Sequence, residues 1–86
     1  MVTKMTIIGL VQQLLNSAKA RNSEQGIPTY HYVLRALSVI ESDEEIKSVL
    51  VTFNRALASI EAHGYFTPEE IRWVEMLQDM ENSINQ

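Results

Sequence analysis

The stretch His63-Gly64-Tyr65-Phe66-Thr67-Pro68-Glu69-Glu70-Ile71-Arg72-Trp73-Val74 stops one helix and starts another within a few positions. Gly64 supplies a residue that enters the left-handed conformation without a steric penalty, which is how many helices close. Thr67 offers a side-chain oxygen to the unpaired N–H groups of the next helix, and Pro68 suits a first helical position, where no N–H is needed. Glu70, three residues after Thr67, completes a capping box, and Phe66 is placed to staple onto Ile71. A joint built this way is short and rigid. It commits the C-terminal half of the chain to a helical hairpin.

Upstream of the joint, Ile46, Val49, Leu50, Phe53, Leu57 and Ile60 recur at steps of three and four, the spacing of one helical face. Ser42-Asp43-Glu44-Glu45 opens that helix as a second capping box, Ser42 facing Glu45, with three acids where the helix dipole favours negative charge. Downstream, Ile71, Trp73, Val74, Met76, Leu77, Met80 and Ile84 make a broader stripe, with Glu75, Asp79 and Asn82 opposite. In the N-terminal half, Ile7, Leu10, Val11, Leu14, Leu15 and Ala18 predict a helix from about Thr3 to Arg21. Asn22-Ser23-Glu24-Gln25-Gly26 breaks that pattern, Pro28 restarts it in a first turn, and Tyr30, Val33, Leu34, Leu37 and Ile40 mark a short second helix. No segment alternates with the period of a strand, and no internal repeat appears. Four amphipathic helices on short connections predict an all-α fold, an antiparallel up-down four-helix bundle, with residues 1–86 as a single domain.

Composition narrows the function classes. The chain has 86 residues, 45% of them hydrophobic, and no cysteine, so helix packing without disulfides must stabilise it. The apolar run from Met5 to Val11 is too short to span a membrane and precedes no small-residue cleavage site, which points to a cytoplasmic protein. Charge is unevenly spread: residues 1–40 carry four basic groups against one acid, net +3, and residues 41–86 carry three against ten, net −7. An acidic half of this kind argues against nucleic acid, whose binding draws on Lys and Arg. It reads as a solvated surface, or as one that meets a cationic partner.

Catalytic chemistry finds few ingredients. His31 and His63 lie at the ends of different helices, neither with a second ligand at helical spacing, and Gly9, Gly26 and Gly64 are too dispersed for a phosphate-cradling loop. The acid pairs Glu44-Glu45 and Glu69-Glu70 sit in first helical turns, where the dipole accounts for them. No catalytic residue, metal ligand or cofactor is therefore expected. An enzyme reading would use Arg21, Arg35, Lys47 and Arg55 on a dicarboxylate, as small helical proteins of the chorismate mutase type do. The breaks at Gly26 and Ser42 depart from the long first helix of that fold. Tyr30, Phe53 and Phe66 fit the inward stripes. Trp73, Met76 and Met80 belong either to the core edge or to a contact surface, since Met and Trp serve both.

Two stretches carry a resemblance. Pro28-Thr29-Tyr30-His31-Tyr32-Val33-Leu34-Arg35-Ala36-Leu37 and Tyr65-Phe66-Thr67-Pro68-Glu69-Glu70-Ile71 resemble the start of helix two and the helix three-to-four turn of immunity proteins for pediocin-like (class IIa) bacteriocins. In that family a proline-tyrosine segment opens the second helix and an aromatic-Phe-Thr-x-Glu-Glu turn opens the fourth. These are capping and packing elements, so they mark a fold family better than an activity. The resemblance implies a monomeric cytoplasmic bundle from a Gram-positive bacterium that protects its cell from a pore-forming peptide. It further implies action from the inside, at the inner face of the membrane, on the mannose phosphotransferase permease with bound bacteriocin. In the family the C-terminal half sets which bacteriocin is countered, which carries over here to His63, Tyr65, Arg72, Trp73, Glu75 and Asp79 as partner contacts. Members commonly extend past the fourth helix with a tail, whereas this sequence stops at Gln86, a departure that bears on tail-dependent specificity. The alternative is a helical protein-protein adaptor without enzymatic activity, docking through the fourth helix or the acidic half.

Overall fold

The computed structural model describes residues 4–84. They form four helices, α1 (Lys4–Ala20), α2 (Ile27–Val39), α3 (Asp43–Ala62) and α4 (Pro68–Ile84), with no strand among the described residues. The expected start of the first helix at Thr3 lies outside the described residues.

Each boundary has a local cause. α1 ends where Asn22 turns left-handed (φ 56°), so that the N–H of Ser23 reaches the carbonyl of Ala18 (2.8 Å) and that of Asn22 reaches Lys19 (3.2 Å). These two bonds satisfy carbonyls the helix leaves open. α3 ends the same way, with Gly64 at φ 76°, Tyr65 N–H on the Ile60 carbonyl (3.3 Å) and Gly64 N–H on Glu61 (2.9 Å). α3 begins at Ser42, whose Oγ accepts from the Glu45 N–H (3.2 Å) and donates to Glu45 Oε1 (2.9 Å), so the expected cap is present with its return bond made between side chains. α2 starts after Gly26, which has φ 87° and no side-chain cap. A Cβ there would lie 2.9 Å from the Tyr30 ring and hydroxyl, so both backbone and packing demand glycine.

Contacts fix the topology. α1 packs on α2 and α4, and α3 packs on the same two helices. Lys4, at the start of α1, donates from Nζ to the Ile40 carbonyl just past α2 (3.0 Å), and Arg21, just past α1, reaches Glu70 in the first turn of α4 (2.8 Å). Neighbouring helices therefore run oppositely, as the short turns require. The α1–α2 and α3–α4 turns share one pole, and the α2–α3 turn lies at the other. The particle measures 34 × 22 × 18 Å, its long axis set by the helices.

The core takes the inward stripe of every helix. All six expected residues of α1 are buried, joined by Tyr30, Val33 and Leu37 of α2, Ile46, Leu50, Phe53 and Leu57 of α3, and Val74 and Leu77 of α4. Tyr30 and Phe53 meet edge to face, centroids 6.0 Å apart and planes at 86°, bridging α2 and α3. Leu34, Ile40, Val49, Phe66, Trp73, Met80 and Ile84 flank the core, partly buried. Met76 is 47% exposed, and so faces outward from the stripe that sequence spacing assigned to it. Among the described residues two polar side chains are also buried, Glu70 and Asn54.

Candidate partner-binding site

The α3–α4 turn is built by local rules and then anchored from outside its own hairpin. The capping box is reciprocal: Thr67 Oγ1 accepts from the Glu70 N–H (3.1 Å), and Glu70 Oε1 accepts from the Thr67 N–H (2.8 Å). Across the pole, Arg21 donates from Nε to Glu70 Oε2 (3.1 Å), and from Nη2 both to Oε1 (2.8 Å) and to the backbone carbonyl of Tyr65 (2.7 Å). Burial by itself would raise the Glu70 carboxyl. The hydrogen bonds from Arg21, the Thr67 backbone and Ser17, with the Arg21 charge, outweigh it and hold the group below its ordinary value. Tyr30 lies under the same cluster, its phenol pushed up to about 12 by burial and by the Glu70 charge, against the opposing pull of Arg21.

On this support the turn presents two rings to solvent. His63 and Tyr65 stack with centroids 6.0 Å apart and planes at 7°, and the His63 Nδ1 lies 2.8 Å from the Ser59 carbonyl. Both residues are exposed, Tyr65 at 44%. Along α4, Arg72, Met76 and Asp79 follow steps of four and three on the outer face, and Glu75 is turned toward α3, where with Glu61 and Gln78 it lines a shallow groove. The side chains of Arg72, Glu75 and Asp79 are exposed and make no ion pair with another described residue. Trp73 is half-buried against the core. The six residues anticipated from sequence thus divide into a stacked pair on the turn, three charged groups along α4 and one flanking ring.

Arg21 and Glu70 were not among those anticipated, although the spacing contains a signal. Glu70 stands four and seven positions before Val74 and Leu77, and Arg21 stands seven and three after Leu14 and Ala18, so opposite charges occupy the ends of two core stripes. Arg35 and Arg55 are exposed and Arg21 is engaged by Glu70, so the arginines considered for a dicarboxylate form no buried cluster. Among the described residues no group of three or more His, Cys, Asp or Glu could hold a metal ion. A second concavity of about 340 Å³ lies between α2 and α3, with Val33, Val49 and Phe53 as its floor, Ser48 and Thr52 on its wall, and Tyr32, 65% exposed, at its rim.

Fold and site together describe a small all-α bundle that offers a rigid capped turn and an exposed polar helix face. Comparison with protein-family models, curated proteins and solved structures gave no match. Among the described residues, no helix is long and apolar enough to cross a membrane.

Proposed function

We propose that this chain is a bacteriocin immunity protein that protects its cell from a class IIa (pediocin-like) pore-forming peptide. It acts from the cytoplasmic side, at the inner face of the membrane, on the complex of the peptide with a mannose phosphotransferase permease. Support comes first from the resemblance of the Pro28–Leu37 and Tyr65–Ile71 segments to that family, at positions that open α2 and α4. The observation that carries the reading is the α3–α4 turn: capped at both sides, anchored by Arg21, and holding the exposed His63–Tyr65 stack beside the unpaired charges of α4. A preorganised aromatic pair with charged neighbours suits recognition of a protein surface, because little side-chain freedom is lost on docking. His63, Tyr65, Arg72, Trp73, Glu75 and Asp79 are the contacts this reading assigns.

Expression in a sensitive strain, followed by challenge with a panel of class IIa peptides, tests it. Reduced killing by at least one peptide is expected, and Tyr65→Ala should abolish the protection without unfolding the chain. Unchanged killing by every peptide sinks the proposal. The α2–α3 cleft with Tyr32 at its rim favours a second reading, a helical adaptor for another protein. A neighbouring gene for a small peptide with a double-glycine leader favours immunity, and a regulatory or phage neighbourhood favours the adaptor.

A further inference from the structure

We propose that Arg21 is the positioning residue of the recognition turn: it sets the direction in which His63 and Tyr65 project by holding the Tyr65 carbonyl and the Glu70 carboxylate to the end of α1. This rests on the reading of that turn as the contact surface.

The bonds that shape the turn from within all stay inside the α3–α4 hairpin. They are Gly64 N–H to Glu61, Tyr65 N–H to Ile60, and the Thr67–Glu70 pair. They fix the turn's form but do not tie it to α1. The packing of α1 on α4 and of α2 on α3 orients the hairpin as a whole. Arg21 supplies the tie, alongside Ser17, whose side chain also bonds Glu70. The Arg21 guanidinium grips the carboxylate with two nitrogens and, with Nη2, also takes the carbonyl of Tyr65, 44 positions away in sequence. Two points on the turn, one on the backbone and one in the first turn of α4, are thus pinned by a single planar group. Lysine, a point charge on a flexible stem, lacks the planar fork that fixes both directions together. Glu70 is 1% exposed while the Arg21 side chain is 33% exposed, so the anchored end is dry and the reaching end lies at the surface. Recognition by the acidic C-terminal half then depends on a residue of the basic N-terminal half.

Native-state amide exchange on the labelled full chain tests this, with Arg21→Lys, Arg21→Met and the double variant Arg21→Met/Glu70→Gln. The double variant guards against loss of folding, because it leaves no unpaired buried charge, and glutamine at that position still serves a capping box. Arg21→Met and the double variant should speed exchange of the Tyr65 and Thr67 amides by about tenfold or more, as expected when the charge-assisted bonds of Arg21 to Glu70 and to the Tyr65 carbonyl are lost. The Leu14 and Leu50 amides should accelerate less. Arg21→Lys should fall between, and folded variants should lose protection in proportion to the loosening. The proposal is overturned if the turn amides keep wild-type rates, if they accelerate no more than Leu14 and Leu50, or if loosened variants protect fully. A wild-type chain that protects against nothing removes the immunity reading alone, and the exchange rates then decide the role of Arg21.

Discussion

Glu70 has almost no contact with water, yet its partners favour the charged form more than burial opposes it. A carboxyl whose folded value lies below its unfolded one stabilises the fold above the unfolded pKa, about 4.3 for glutamate, and loses that contribution as pH falls through the folded value. The stability difference between the wild type and Glu70→Gln should therefore be full at neutral pH and shrink progressively below about pH 4. Urea unfolding across that range measures it, and a difference that stays constant with pH would show that the charge of Glu70 contributes nothing. Gly26 allows an equally local test. Alanine there meets both a positive φ and a ring 2.9 Å away, whereas the Cβ of Gly64→Ala would enter open space at a similar φ. Gly64→Ala should cost about 1–2 kcal/mol from the left-handed backbone alone. Gly26→Ala should cost about 1–3 kcal/mol more for the added crowding. Equal denaturation midpoints for the two variants would refute the crowding.

At the scale of elements, the seam between α3 and α4 carries an uncompensated polar group. Asn54 donates from Nδ2 to the Leu77 carbonyl (3.2 Å) and to Glu81 Oε1 (2.9 Å), while its buried Oδ1 has no partner. A buried unsatisfied acceptor costs about 1–3 kcal/mol, and replacing it with an apolar group of similar shape removes that cost. Asn54→Leu should therefore raise stability by at most about 1 kcal/mol, a gain offset in part by the lost bonds to the Leu77 carbonyl and to Glu81. A lower melting temperature for this variant would mean that the two donor bonds outweigh the orphaned oxygen. The element boundaries themselves were legible, because caps and breakers act over a few residues: Ser42, Gly64, Thr67 and Pro68 stand where they were read. Asn54 was not, since it occupies a stripe position between Leu50 and Leu57 that an inventory of apolar residues passes over. Glu70 was read only as a cap, and its pairing with Arg21 stayed hidden. Polar residues at core spacing are the places where distant helices are tied, and their partners emerge only once the helices are assembled.

For the molecule as a whole, the bundle follows from four stripes and three short turns, and its buried set in α1 coincides with the one its periodicity predicts. The outer face was harder to read. The broad stripe of α4 gave equal weight to Trp73, Met76 and Met80, and packing against the neighbouring helices separates them, leaving Met76 outside and the other two at the core edge. Sequence periodicity measures the width of an apolar arc. It does not say how much of that arc the neighbours cover.

An even number of alternating helices brings the beginning of α1 and the finish of α4 to the same pole, and the Tyr65 ring stands at the other. A fluorescent reporter or affinity handle placed at the Lys4 end of α1 or the Ile84 end of α4 would stand at the pole opposite the α3–α4 turn. Tethering the bundle to a surface by those helix ends would point the His63–Tyr65 stack outward, like a stamp held by its handle.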